Sequence, residues 1–388
     1  MARALPRTLR KTLLRLAGKF PVVTVTGPRQ SGKTTLCRAA FPKLPYENLE
    51  APDVREHAAS DPRGFLARFP AGAILDEVQR VPALLSYLLV HVDERKARCR
   101  FILSGSQNFG LLGSVSQSLA GRTALLHLLP FSREELRARK PGNGSPWAQI
   151  FTGGFPAIHD RGVDPGEWLS AYAATYLERD VRQVLNVSDL GAFQDFLRLA
   201  AGRSGQILNL SALGADAGIS HNTARSWLGV LEAGFIVHRL RPIHRNLKKR
   251  LTKNPKLHFT DSGLLCYLLG VRSPAELAQH PLRGAVFESW VVSEILKHRL
   301  HRGLPPDLHF YRDHKGMEVD LVLDTGRRLL GVEMKSGRTV APDAFASLLS
   351  FRSLARADLA LVHGGDQSYE REGVSVVPWS EVDRMDLA

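Results

Sequence analysis

The chain of 388 residues carries 52 Lys and Arg against 38 Asp and Glu, a formal charge of +14 with an isoelectric point near 10.0. An apolar fraction of 44% and a charged fraction of 23% exclude a disordered or fibrous polymer, and the length suffices for two or three domains of about 100 to 200 residues each. Three dispersed cysteines, Cys37, Cys99 and Cys266, exclude a disulfide scaffold or a zinc cluster and fit a reducing, cytoplasmic setting; no run approaches the roughly 18 consecutive apolar residues of a membrane span.

The first nineteen residues hold six basic side chains and no acid. An organelle transit peptide shares that composition, but Leu5, Leu9, Leu13, Leu16 and Phe20 recur at helical spacing, which predicts an amphipathic helix packed on the adjoining domain.

Residues 21–26, PVVTVT, read as a short strand, and Gly27-Pro28-Arg29-Gln30-Ser31-Gly32-Lys33-Thr34-Thr35 comes next, before a helical LCRAAF. Strand, loop and helix in that order are the setting in which G-x-x-x-x-G-K-[ST] binds phosphate. The glycines let backbone N–H groups close around phosphate oxygens, and the helix directs its positive end at them. Lys33 is expected to reach the β- and γ-phosphates of ATP, and the Thr34 hydroxyl to ligate Mg2+. A second strand, Ala73-Ile74-Leu75, ends in Asp76-Glu77, about 40 residues on, where a P-loop ATPase places its Mg2+-orienting acid and the carboxylate that positions water. A third, Phe101-Ile102-Leu103, ends in Ser104-Gly105-Ser106, so that Ser104 or a neighbour is a candidate to sense the γ-phosphate. Strands alternating with helices predict a parallel sheet with right-handed crossovers.

GPRQSGKTTL, ILDEVQRVP, FILSGSQN, SLAGR at 118–122 and GGFP at 153–156, then TYLERDVR, KRLTKNPKLHFTDSGL and FESW, resemble in that order the prokaryotic AAA-type ATPases that carry an uncharacterised C-terminal domain. The resemblance spans nearly the whole chain and implies an ATPase core. It also makes Arg122 in SLAGR a candidate trans-acting arginine or sensor, since a guanidinium aimed at the transferring phosphoryl group stabilises its charge; Arg29, inside the loop, is a similar candidate. A trans role for Arg122 requires a homo-oligomer.

Gly, Pro, Asn and Ser are enriched over 141–166, marking the exit from the nucleotide core. A helical region spans about 167 to 204, with Trp168, Tyr172, Tyr176 and Leu177 as an apolar stripe. Residues 207–242 then read as helix, Gly218 turn, a second helix capped by Ser220, and a strand starting at Phe235-Ile236-Val237: a winged helix. His221, Asn222, Thr223 and Arg225 lie at the start of the second helix, the part that enters a DNA major groove in such modules; winged helices also serve as protein contacts or lids. Between 236 and 260 stand eight basic residues and no acid: Arg239, Arg241, Arg245, Lys248, Lys249, Arg250, Lys253 and Lys256. Such a run predicts phosphate neutralisation with steep salt dependence.

The last segment holds Glu288 in AVFESWVVSEILKHRL, Asp320 closing GMEVD, and Glu333-Met334-Lys335 ending LLGVEMK. Two antiparallel strands joined by the Asp324–Arg328 turn would bring Asp320 near Glu333 and Lys335. An acid, about a dozen residues, then Glu-x-Lys, with an upstream helical Glu, resembles the PD-(D/E)xK nuclease superfamily, although Val319-Asp320 replaces its Pro-Asp pair. The resemblance implies that Glu288, Asp320 and Glu333 hold a second Mg2+ or Mn2+ and that Lys335 stabilises negative charge. Residues 357–388 are acidic, seven acids against Arg371 and Arg384.

The expectation is an α/β chain: a P-loop, parallel-sheet AAA-type ATPase domain over 1–140, a helical connector over 141–204, a winged-helix module with a basic wing over 205–262, and a nuclease-like α/β domain over 263–388. Its expected partners are nucleotide and nucleic acid, DNA ahead of RNA, and no membrane. Three functions compete: ATP turnover coupled to DNA binding or processing, an ATP-dependent metal nuclease, and a nucleotide-switched protein-interaction machine.

Overall fold

The computed structural model describes residues 5–94, 100–106, 119–138, 144–177, 189–243 and 253–387. The chain divides into two compact units. The first comprises residues 1–131 with 233–235 and 300–304, and the second the remainder.

In the first unit, five strands order as β2-β3-β4-β1-β5: β1 (Val22–Gly27), β2 (Tyr46–Asn48), β3 (Ile74–Asp76), β4 (Phe101–Ser106) and β5 (Thr123–His127). All four pairings are parallel. Because side chains alternate across a strand, Leu75 and Leu103 join Phe65 and Leu88 in one core, while Ile74, Ile102, Val23 and Val25 join Leu36 and Leu126 in another. Helices therefore cover both faces. Helix α1 (Leu9–Ala17) buries Leu9, Leu13 and Ala17 in the second of these cores, as the spacing of its leucines predicts. The register pairs Asp76 with Ser104 and Gly27 with Ser106, so the three motifs end along one carboxyl edge.

The second unit holds an eight-stranded sheet ordered β12-β13-β11-β10-β9-β8-β6-β7. Its strands are β6 (Val237–Pro242), β7 (Lys256–Phe259), β8 (Leu308–Arg312), β9 (Glu318–Asp324), β10 (Leu329–Lys335), β11 (Ala357–His363), β12 (Tyr369–Arg371) and β13 (Val374–Pro378). β9 and β10 pair antiparallel with Asp324 opposite Leu329, the hairpin expected from the alternation in EVDLVLD. β6 pairs with β7 on one side and, through Arg241 and Pro242, with β8 on the other. Helices Leu210–Asp216 and His221–Ala233 flank a Gly218 turn at φ +66°. The strand expected from Phe235 begins two residues later, because Phe235 sits at φ +56°, outside strand geometry. No helix among the described residues is long and apolar enough to cross a membrane.

Candidate nucleotide site and a second carboxylate cluster

The phosphate loop leaves β1 at Gly27, whose φ is +149° and where a Cβ would lie 2.1 Å from the carbonyl oxygen of Leu128, so only glycine fits. Gly32, at φ +92°, hands the loop to helix α2 (Lys33–Ala40). Gln30 between them is left-handed at φ +58°, a conformation that costs a non-glycine residue on the order of 1 kcal/mol or more. The buried Lys33 ammonium donates to the carbonyls of Gly27 at 3.0 Å and Pro28 at 2.8 Å. Burial pulls its pKa down to about 8 against the opposing pull of Glu77 and Asp76, and Arg29, half-buried in the loop, adds to the fall. The Ser31 hydroxyl is buried without a hydrogen-bond partner. A loop that turns its own cation onto its carbonyls and leaves a hydroxyl orphaned has polar groups to give to a phosphate, so the residues present fit a nucleotide.

Asp76 is the hub of the site. Its Oδ2 accepts from Thr34 Oγ1 at 2.6 Å and from the Tyr46 hydroxyl at 3.0 Å; its Oδ1 accepts from Ser104 Oγ at 2.5 Å and from the backbone N–H of Glu77 at 3.1 Å. Thr34 and Asp76 thus bring two hard oxygens together in the arrangement that suits Mg2+. Burial, with the Asp76 charge next, pushes the Cys37 thiol up to about 12, so this cysteine behaves as an inert apolar residue. Glu77 stands in left-handed backbone, φ +53°, where strain of this kind marks functional positions. Its carboxylate accepts from Gln79 Nε2 and, at 3.4 Å, from Ser106 Oγ; Gln79 also donates to Ser106 Oγ at 3.1 Å.

Arg122 is not brought to this edge. It precedes β5, its carbonyl accepting from the N–H of Val22 at the start of β1, so it lies at the amino edge of the sheet, a strand length from the loop. Its exposed guanidinium pairs with Asp93 at 2.7 Å, a bond that raises its already high pKa. Two residues of the site, Tyr46 and Arg7, have no local sequence signal, while Gln79 and Ser106 lie within the motifs ILDEVQRVP and FILSGSQN. The Arg7 guanidinium, 9% exposed, donates to the carbonyls of Ser31 and Leu129 and lies 4.7 Å over the Phe131 ring.

In the second unit, the Ser220 hydroxyl accepts from the N–H of Thr223 at 3.1 Å and so caps the helix beginning at His221. His221, Asn222 and Arg225 are exposed at its start, and Lys253 is exposed ahead of β7. Arg245, Lys248, Lys249 and Arg250 lie outside the described residues. The basic run is not uniformly solvent-facing as the sequence predicts. Arg239 is paired with Glu232, and Lys256, on a strand buried along its whole length, has its side chain 3% exposed.

Lys256 faces the acids of the nuclease-like pattern. Its Nζ lies 2.9 Å from Glu288 Oε1, 2.5 Å from Glu318 Oε1 and 3.7 Å from Asp320 Oδ1. Asp320 Oδ2 accepts from the N–H of Met334 at 2.9 Å, and Glu333 Oε1 pairs with Lys335 at 2.8 Å. Four carboxylates thus face two ammonium groups. Burial raises the Glu288 pKa to about 8 and the Glu333 pKa to about 7, Asp320 adding to both, and burial raises Asp320 as well. Burial by itself would depress Lys256, but Glu288, Asp320 and Glu318 more than offset it and hold the ammonium above the ordinary lysine range.

A parallel sheet with a glycine-rich loop after β1 and paired acids after β3, two strands away across β4, defines a P-loop ATPase-type domain, and residues 19–137 match the AAA domain family. Residues 146–275 and 283–382 match two domains of unknown function, DUF8612 and DUF4143. Over 375 residues, 95% of this chain and 82% of each relative, the sequence is 31% identical to Uncharacterized protein Mb2031c of Mycobacterium bovis and to Uncharacterized protein Rv2008c of Mycobacterium tuberculosis. The chain belongs to the same family as these proteins, and its residues 19–137 form an AAA domain. Among solved structures, the Walker-type ATPase PABY2304 of Pyrococcus abyssi is 16% identical with a TM-score of 0.47, covering 69% of this chain and 98% of that one. A signal-transduction ATPase with a tetratricopeptide repeat sensor, PH0952 of Pyrococcus horikoshii, is 13% identical with a TM-score of 0.25, covering 76% and 48%. The AAA match supports ATP binding and hydrolysis by this chain.

Proposed function

We propose that the chain hydrolyses the β–γ phosphoanhydride bond of ATP at the carboxyl edge of β1, β3 and β4, and couples turnover to the binding or processing of DNA. The observation that carries the chemistry is Asp76, bonded at once to Thr34 and Ser104, with Glu77 beside it on strained backbone. Lys33 leaves the loop carbonyls for the β- and γ-phosphates, and the loop N–H groups with Ser31 enclose their oxygens. Thr34 and Asp76 would hold Mg2+, which supplies charge neutralisation on the phosphates when bound. Glu77 orients water and takes its proton, while Ser104 and Ser106 keep the two acids in register. Arg122, away from its own loop, suits a role toward the loop of a second copy.

The coupling rests on the exposed His221, Asn222, Arg225 and Lys253 together with the acid-free segment around Arg245, Lys248, Lys249 and Arg250. The test is the ATPase rate with and without single- and double-stranded DNA or RNA, with binding titrated across a salt series. Stimulation, with binding that weakens steeply in salt, is expected; no binding at low salt overturns the coupling. A nucleotide-switched protein-interaction role is the second reading, favoured by the withdrawal of Arg239 and Lys256 from the solvent-facing charge. It predicts that nucleic acid leaves the rate unchanged.

A further inference from the structure

The PD-(D/E)xK resemblance implies a divalent ion between Glu288, Asp320 and Glu333, and the residues present do not fit one. The place between the acids is taken by a side chain of the protein. The Lys256 ammonium is in hydrogen-bonding contact with Glu288 and Glu318 and 3.7 Å from Asp320 Oδ1, and it lies 5.7 Å from the centre of the buried Phe310 ring. The outer oxygens are committed as well: Asp320 Oδ2 to the N–H of Met334, Glu318 Oε2 to Arg312 at 2.9 Å, and Glu333 Oε1 to Lys335. Among the buried side-chain oxygens of the four acids, Glu333 Oε2 is left without a partner. Mg2+ requires a near-octahedral shell of oxygens at about 2.0–2.1 Å. An ion that close to Glu288 Oε1 and Asp320 Oδ1 would sit against the ammonium, where like charges in a site screened from water repel strongly. Among the described residues, no group of three or more His, Cys, Asp or Glu is disposed to hold a metal.

We propose that Lys256 is the resident cation of this cluster, standing where the resemblance puts a divalent ion, and that the cluster is an internal counter-ion hub rather than a hydrolytic centre. The hub binds β7, β9 and the Glu288 helix together without metal. Lys256, from a strand far upstream of Asp320 in the chain, does this through hydrogen-bonded ion pairs. Removing the ammonium leaves buried carboxylates uncompensated, and a divalent ion then becomes the natural replacement.

The experiment counts Mn2+ by electron paramagnetic resonance on the full, nucleotide-free chain, comparing wild type, Asp320→Asn, Lys256→Met, and Lys256→Met with Asp320→Asn. Wild type is expected to show no Asp320-dependent site tighter than about 1 mM. Lys256→Met is expected to gain one site, at least roughly 10-fold tighter, that Asp320→Asn removes, and its melting temperature is expected to rise with Mn2+. A wild-type Mn2+ site that Asp320→Asn abolishes overturns the proposal, as does a folded Lys256→Met chain that gains no site. Should Lys256→Met fail to fold, the comparison of wild type with Asp320→Asn decides alone.

Discussion

Arg7 donates from Nη1 to the carbonyl of Ser31 at 2.7 Å and from Nη2 to that of Leu129 at 2.6 Å, so the segment ahead of α1 is tied directly to the phosphate loop. Charge-assisted bonds to buried carbonyls contribute about 1.5–3 kcal/mol each, and here they restrain a loop with a strained residue at Gln30. Arg7→Ala is expected to raise the KM for ATP roughly 10-fold or more, with a smaller change in kcat. ATP titration beside a thermal melt checks it, and an unchanged KM in a folded variant refutes the tie.

Lys33→Ala removes the only described loop side chain that is a buried cation, and ATP binding should disappear. Glu77→Gln keeps the shape of the side chain but not its basicity. That variant should bind ATP normally and turn it over about 100-fold or more slowly, the usual scale for loss of a general base. Full turnover by either would contradict the roles given to both.

Ser106 and Gln79 contact Glu77 rather than the loop, so they act on the chemical step. Ser106→Ala is expected to lower kcat about 5-fold while leaving KM within about twofold, because a positioning bond of about 1 kcal/mol is lost from the reacting arrangement only. A change confined to KM would argue against it.

His127 shares its Nδ1 with Thr26 Oγ1 at 2.8 Å and lies against the Phe235 ring. Burial depresses its pKa from 6.5 to about 4. Above the unfolded value the ring is neutral in both states and costs nothing. As pH falls through the window from about 6.5 to 4 the unfolded chain takes up the proton first, so the folded state loses about 3 kcal/mol, most of it by pH 4. Denaturant melts from pH 4 to 7.5 should show a shallower decline for His127→Asn than for wild type; equal slopes would refute this account.

Arg225 and Lys253 are exposed cations flanking the segment expected to meet phosphates. If each neutralises one phosphate, Arg225→Ala and Lys253→Ala should each flatten the dependence of log K on log salt by about 0.9. Unchanged slopes would place the nucleic-acid contact elsewhere or remove it.

The sequence made legible what is local. The strand, loop and helix around Lys33, the acids after β3, the β9–β10 hairpin and the Ser220 cap all arise from neighbours within a few residues, where spacing and turn chemistry carry the information. The rest depends on partners distant in the chain. Arg7 meets Leu129 across 122 positions and Lys256 meets Glu288 across 32, and no periodicity encodes such a meeting. The same gap explains the reading of Lys256 as one more surface cation. A basic run looks alike from the sequence whether its members face water or acid, and only the burial of β7 separates them.

The placement of Lys256 also bears on how the protein is divided for study. A fragment cut to the matched segment 283–382 starts after β6 and β7, so it omits two strands of an eight-stranded sheet along with the ammonium that neutralises Glu288 and Asp320. It would expose the edge of β8 and leave its acids to repel one another, and insolubility or demand for added cations in such a fragment would report the cut rather than the protein. The smallest faithful piece of this unit is stitched from stretches that sequence boundaries separate.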